Sequence, residues 1–258
     1  MHYYNEIEDY AATWIENLIL DGLIPDGKVD RRSIVDVHPA DLEGFTQCHF
    51  FAGVAGWSLA MRLAGWPDDR EVWTGSCPCQ PFSIIGKKKG VEDERHLWPD
   101  FFRLIIARRP ATVFGEQVAS KDGRDWLAGV RDDLEGAGYA VGAADLCSAG
   151  VAAPHIRQRL YWVGDANDAG LEGYSRHVNG REGWSREDRP VAATGGPLPW
   201  DAFDAVTDID GKTRRIEPGV APLAHRLPGH MGLLRAYGNA INPHLAAHFV
   251  AAVMECQP

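Results

Sequence analysis

A cysteine, a glutamate and a pair of arginines, each set where a strand meets a loop, are the residues of this chain whose types can do chemistry. The run Gly75-Ser76-Cys77-Pro78-Cys79-Gln80-Pro81-Phe82-Ser83 puts Cys79 just past the apolar strand Val72-Trp73-Thr74. Open α/β sheets place their reacting groups at that point. Prolines on both sides stiffen the loop. A thiol there is a nucleophile if it is accessible and cationic or hydrogen-bonding neighbours stabilise its thiolate; a buried, inert thiol is the alternative. Cys77 and Cys79 could also form half of a metal site, but Cys48, Cys147 and Cys256 supply no second pair at ligand spacing. No metal is expected.

Glu116, in Phe114-Gly115-Glu116-Gln117-Val118, directly follows another apolar strand and so projects into the same crevice as Cys79. A solvated loop carboxylate or a helix cap is the other reading. His155-Ile156-Arg157-Gln158-Arg159-Leu160 feeds a further strand, whose alternation points Arg157 and Arg159 to one side. Paired guanidinium groups suit a phosphate or a polar base edge, or else a salt-bridged strand margin. Phe51-Ala52-Gly53-Val54-Ala55-Gly56 sets glycines between a strand and a helix, where backbone passes close to a ligand and a helix N-terminus offers free N–H groups. Alone, it fits a bare βα turn as well as a nucleotide site.

Positioning these residues requires alternating strands and helices. Apolar residues at helical spacing predict a helix over 10–20, closed by Asp21-Gly22, and a short strand over Ser33–Val37 follows. A strand at Gln47–Phe51 runs through the glycine turn into a helix from Trp57 to Ala64. Further elements are the strand at Val72–Thr74, a helix at Trp98–Arg109, a strand at Thr112–Phe114, a helix at Arg124–Leu134, and strands near Val141 and at Leu160–Val163. The pattern implies a mainly parallel, doubly wound α/β sheet. Residues 164–228, rich in Gly, Pro, Asp and Arg, keep neither period. A last helix begins at Asn242-Pro243, an N-cap followed by proline in the first turn.

Composition sets the outer bounds. The 258 residues are 45% hydrophobic and 24% charged, which is globular rather than disordered or fibrous. A net charge of −10 excludes coating of nucleic acid by overall positive charge, although a local basic cleft stays open. Five cysteines, an odd number, and a start without a charged segment leading into an apolar run imply a reducing, cytoplasmic setting. The most apolar stretch, 241–254, contains Asn242, His244 and His248, so no membrane span is expected.

Taken in order, Phe51–Gly56, Pro78-Cys79-Gln80, Glu116-Gln117-Val118, His155-x-Arg157-x-Arg159 and Gly238-Asn239-Ala240-Ile241 resemble the motifs of the DNA cytosine-5 methyltransferase family. The resemblance covers roughly 45–163 and 229–258. It implies a Rossmann-like S-adenosylmethionine-dependent sheet, with a catalytic and cofactor domain over 1–163, a small irregular target-recognition region over 164–228, and a return to the catalytic domain over 229–258. It further implies catalysis by Cys79, Glu116, Arg157 and Arg159, with Phe51, Ala52, Gly53, Gly56, Pro78 and Asn239 around the cofactor; Trp57, just beyond the glycine turn, either borders the cofactor or is a core tryptophan at the start of the helix. In that mechanism the thiolate of Cys79 attacks C6 of a cytosine flipped out of the duplex, and Glu116 holds the N3/N4 edge of the base. The segment Gln80–Arg95, with Lys87, Lys88 and Lys89, resembles the loop that closes over DNA; a solvated charge run is the alternative. Arg176, Arg181, Arg186, Arg189, Lys212, Arg214 and Arg215 suit groove and phosphate contacts. Double-stranded DNA is the implied partner, a restriction endonuclease a further possible one, and a bacterial or phage-infected cytoplasm the setting. The same chemistry on RNA, and a catalytically silent DNA-binding relative, are the competing readings.

The chain departs from the family in one large respect. Only 26 residues separate Gly53 from Cys79, where the family inserts two further βα units that carry cofactor contacts. Similar text lies upstream instead. Asn5-Glu6-x-x-x-Tyr10-Ala11 resembles the second motif, and Arg32-Ser33-Ile34-Val35-Asp36-Val37 the third. This implies a rearranged segment 1–43, in which Glu6 holds the ribose and Ile34 packs on the adenine, with Ser33 where an aspartate is usual. An unrelated helical extension, or a segment swapped between protomers, would also account for residues 1–43. Smaller departures are Ala55 for glycine, Gln117 for asparagine and His155 for glutamine.

Overall fold

The computed structural model describes residues 1–78, 97–151, 153, 156–166 and 240–257, together with the backbone of 204–207 and 213–216. Seven strands form one sheet: β1 (His2–Asn5), β2 (Gly27–Asp30), β3 (Gln47–Phe50), β4 (Val72–Gly75), β5 (Thr112–Val118), β6 (Ala140–Cys147) and β7 (Gln158–Asp165). Their order across the sheet is β2-β1-β3-β4-β5-β7-β6. The five strands from β2 to β5 run parallel, and β7 is antiparallel to both β5 and β6. A separate two-stranded pairing joins β8 (Asp204–Thr207) to β9 (Thr213–Ile216).

Successive side chains of a strand face opposite ways, and the core divides accordingly. Phe50, Trp73, Val113 and Trp162 point to one face, where α3 (Trp98–Arg108) supplies Trp98, Phe101, Leu104 and Ile105, and α4 (Lys121–Gly136) supplies Trp126, Val130 and Leu134. Val72, Phe114, Tyr161 and Val163 point to the other, under α2 (Gly56–Ala64) and α5 (Pro243–Cys256). On that second face α1 (Asp9–Leu20) buries Ala11, Ala12 and Ile15, the last in a cluster with Tyr4 and Ile24. Helices on both faces of a largely parallel sheet make the doubly wound α/β architecture implied by the sequence. Among the described residues no helix is long and apolar enough to cross a membrane.

Three expectations are corrected. Segment 1–43 contributes two strands, β1 and β2, which the sequence reading did not place. The strand expected at Ser33–Val37 is a 3-10 turn over Ile34–Asp36, because the Ser33 side chain accepts from Val35 N (3.4 Å) and caps it. Glu116 lies within β5 rather than after it, since pairing with β7 carries the strand on to Val118. From β2 the chain passes β1 to reach β3 through two 3-10 turns, Ile34–Asp36 and Pro39–Leu42.

Candidate active site

Parallel strands deliver their C-termini to one edge of the sheet, and the candidate residues gather there. Glu6 follows β1, the segment 31–36 follows β2, the glycine turn follows β3, and Ser76-Cys77-Pro78 follows β4. Antiparallel β7 begins where β5 ends, with Val118 opposite Arg159. Its first residues thereby join the same edge.

The glycine turn is held in an unusual backbone. Phe51, Gly53 and Ala55 have positive φ (51°, 56° and 62°), two of them on residues that carry a Cβ. Such conformations cost an L side chain of order 1–3 kcal/mol and persist where the surroundings impose them. Here the surroundings are visible. Ala52 N donates to Asn5 O (3.0 Å), Gly53 N donates to Glu6 Oε2 (2.7 Å), and a Cβ on Gly56 would come within 2.8 Å of Ile241. Space beside Gly53 is open. Glu6 also accepts from Glu8 N through Oε1 (2.9 Å). Burial pushes its carboxyl above the ordinary range, and these two N–H groups pull it back. The acid anticipated for a ribose thus stands against the backbone of the glycine turn, 47 residues away in sequence.

Other anticipated cofactor residues fall in different surroundings. Trp57 is buried against Phe114 and Tyr161, and its indole N–H donates to Ser76 Oγ (3.0 Å), linking the glycine turn to the loop after β4. Ile34 is buried in the core under α3, its carbonyl near Arg103, whereas its neighbour Val35 is exposed. Ala52 is buried, Phe51 meets the Phe101 ring edge-on, and Pro78 is exposed.

Glu116 lies at the other end of the edge. It is 8% exposed and its Oε1 lies 2.8 Å from Arg159 Nε. Burial raises the carboxyl's pKa; Arg159 and then Arg157 oppose the rise. Arg157 Nη2 donates to Ala240 O (2.9 Å), which fastens this cluster to the segment entering α5. Both arginines favour the charged form of this one carboxylate. Gln117, on the opposite face of β5, donates from Nε2 to Cys77 O (3.3 Å), two residues before Cys79. Cys77 is buried and its thiol is pushed up well beyond the ordinary range, so it stays protonated. Cys79, Asn239, His155, the segment 80–95 and the basic side chains between 176 and 215 lie outside the described residues.

Sequence reasoning missed a polar network beside Glu6. Asp30 receives Arg32 Nε (3.0 Å) and Nη2 (2.6 Å) and the Tyr3 hydroxyl (2.9 Å). These contacts hold its carboxyl down at about 2 against the opposing, and largest, effect of burial. Asn5 stands in the same network. Only its place beside Glu6 signalled a role.

The model of the C-5 cytosine-specific DNA methylase family matches residues 62–194, just over half of the chain. The Type II methyltransferase M.HhaI of Haemophilus parahaemolyticus is 33% identical over 110 residues, 41% of this chain and 34% of that one. M.NlaX of Neisseria lactamica is 35% identical over 103 residues, 38% and 33% respectively. The chain spans about a third of the length of each of these relatives. Among solved structures, the S. pombe Dnmt2 methyltransferase overlaps 66% of this chain and 52% of its own at 17% identity, with a TM-score of 0.42. By the extent of the family match, the chain belongs to the C-5 cytosine-specific DNA methylase family.

Proposed function

We propose that the chain is a DNA (cytosine-5)-methyltransferase that takes its methyl group from S-adenosylmethionine. The observation that carries the reading is the buried Glu116–Arg159 pair on the sheet edge that also holds the Glu6–Gly53 contact. The candidate base-handling and cofactor-handling groups thereby share one edge of the sheet.

The residues fit the cofactor. Glu6 has lone pairs left for ribose hydroxyls, the open side of Gly53 admits a close approach, and the exposed apolar side chains of Ile7 and Val35 stand next to Glu6 and Ile34 at the adjoining strand ends. Bound there, S-adenosylmethionine supplies an electrophilic methyl group. Strands β1 and β2 sit beside β3 in one sheet, which supports the reading that the second and third family motifs precede the first in this chain.

Glu116 meets the cytosine. Burial favours the protonated form of the carboxyl, the form that donates toward N3 as charge develops there, while Arg159, which opposes that rise, fixes the orientation of the carboxyl. Cys79 Sγ bonds to C6, which makes C5 nucleophilic. C5 takes the methyl group and S-adenosylhomocysteine leaves; loss of the C5 proton to a base then expels the thiolate, and N3 returns its proton to Glu116 as the aromatic ring is restored. The base must leave the duplex for this attack. Gln117 holds the carbonyl of Cys77 and so fixes where the nucleophile's loop starts. We assign catalysis and cofactor binding to 1–163, target recognition to 164–228 and a stabilising return to 229–258. We also place the enzyme in a bacterial or phage-infected cytoplasm, with double-stranded DNA as substrate and a restriction endonuclease as companion activity.

The test is transfer of labelled methyl to duplex DNA and, separately, to tRNA, by the unaltered chain and by Cys79→Ala. Label at C5 of DNA cytosine, absent with the variant, is expected. Label on tRNA alone, or label that survives loss of the thiol, would overturn the proposal.

A further inference from the structure

Three segments that are distant in sequence converge on Asn5. It ends β1, opposite Asp30 of β2 and Phe50 of β3, and is 3% exposed. Its Nδ2 donates to two carbonyls, Asp30 O (3.1 Å) and Arg32 O (2.8 Å), and its own carbonyl accepts from Ala52 N (3.0 Å). Glu6 comes next, its N–H bound to Asp30 O (3.0 Å) and its carboxylate to Gly53 N. One side chain therefore straps the turn after β2 to the end of β1, and the main chain of the same residue straps the glycine turn to both.

The β1–β2 ladder is paired from His2 to Asn5 without help from this amide. The Asn5 side chain is spent on a carbonyl beyond the ladder, that of Arg32, immediately before Ser33. Only a group with two N–H donors serves both acceptors; an aspartate would set a carboxylate against two carbonyl oxygens. Arg32 is the residue whose guanidinium is clamped by Asp30 and Asp41, so the turn is fixed at its side chain and at its carbonyl alike.

We propose that Asn5 is a positioning residue for the adenosine half of S-adenosylmethionine, an inference that rests on the methyltransferase reading above. It sets the distance between Glu6, the segment 33–35 and the glycine turn, three contributors that this chain draws from separate stretches. Loss of the amide leaves the sheet but lets the turn after β2 move relative to Glu6. Binding of a rigid adenosine then pays for the ordering that the strap had supplied in advance.

The experiment uses the full chain and S-adenosylhomocysteine as probe, with affinity from calorimetry. Asn5→Ala is compared with Tyr139→Phe, which removes a buried hydrogen bond to Pro110 O (2.9 Å) at the opposite edge of the sheet. The expected result is a Kd raised about tenfold or more in Asn5→Ala and within about twofold of the unaltered chain in Tyr139→Phe. In steady state, KM for S-adenosylmethionine rises while kcat at saturation holds, a split that general destabilisation would not give. Asn5→Ser, which keeps one donor, serves if Asn5→Ala does not fold, and its Kd should rise in the same direction. A Kd for the Asn5 variants no higher than that of Tyr139→Phe overturns the assignment. Failure of the unaltered chain to bind S-adenosylhomocysteine would instead overturn the methyltransferase reading, and this inference with it.

Discussion

Glu116 shows how much one residue's role depends on what surrounds it. A carboxylate at a strand end is ordinarily solvated, but here burial raises its pKa and two arginines restrain the rise. Glu116→Gln should lower kcat by about 100-fold or more, the size associated with loss of a positioned proton donor, with cofactor affinity unchanged. Methyl transfer alongside calorimetry checks both halves. The pH dependence has a definite sign. If the protonated carboxyl is the working form, kcat falls as pH rises through the shifted pKa. Arg159→Gln removes a cation that favours the carboxylate, so the alkaline limb should move to higher pH while the maximum drops. A limb that stayed in place would mean that Arg159 does not govern this proton. The residue types of this cluster were legible in the sequence, since alternation alone set Arg157 and Arg159 on one side. The Glu6–Gly53 contact was not, because nothing local announces a hydrogen bond across 47 residues.

Elements were legible where their end signals were local. Asn242-Pro243 announces α5, and the structure places Asn242 Oδ1 as acceptor for His244 N (3.1 Å) and Leu245 N (3.3 Å). Asn242→Ala should cost about 1 kcal/mol, read as a lowered urea midpoint at unchanged slope. The strands of segment 1–43 were hidden for a different reason. β1 has four residues and is wholly buried, so it shows no alternation, while edge strand β2 carries Lys28 and Asp30, types depleted in strands. Ser33–Val37 misled because β-branched residues suggested extension, whereas the serine hydroxyl closes a turn. Packing between elements gives a sharper test. A Cβ on Gly115 would overlap the Trp162 ring, where β5 and β7 pair next to Glu116. Gly115→Ala should destabilise by roughly 1–3 kcal/mol and reduce transfer as well, since the strand that must yield is the one bearing the carboxylate. Stability intact with activity lost would place the effect on the site alone.

The α/β class of the whole molecule was readable from the alternation of periods, but strand order was not, because order is decided by which buried strand pairs with which. The centre of that sheet carries a cost that appears only in acid. His49, in β3, is buried with Nδ1 2.9 Å from Thr74 Oγ1, and burial lowers its pKa to about 3; His2, 5.9 Å away ring to ring, is lowered too, chiefly by burial. Above the unfolded value near 6.5 both states hold a neutral ring, and His49 contributes no pH dependence. Below it the unfolded chain takes a proton that the folded chain refuses, so stability falls as pH drops from about 6.5 toward 3. At 1.36 kcal/mol per pH unit the loss from this one residue is roughly 2 kcal/mol by pH 5. Urea unfolding between pH 7 and 4.5 should therefore show a steep acid limb, shallower in His49→Gln even if that variant is less stable at pH 7. Parallel limbs in the two proteins would place the acid sensitivity elsewhere and leave His49 as ordinary core.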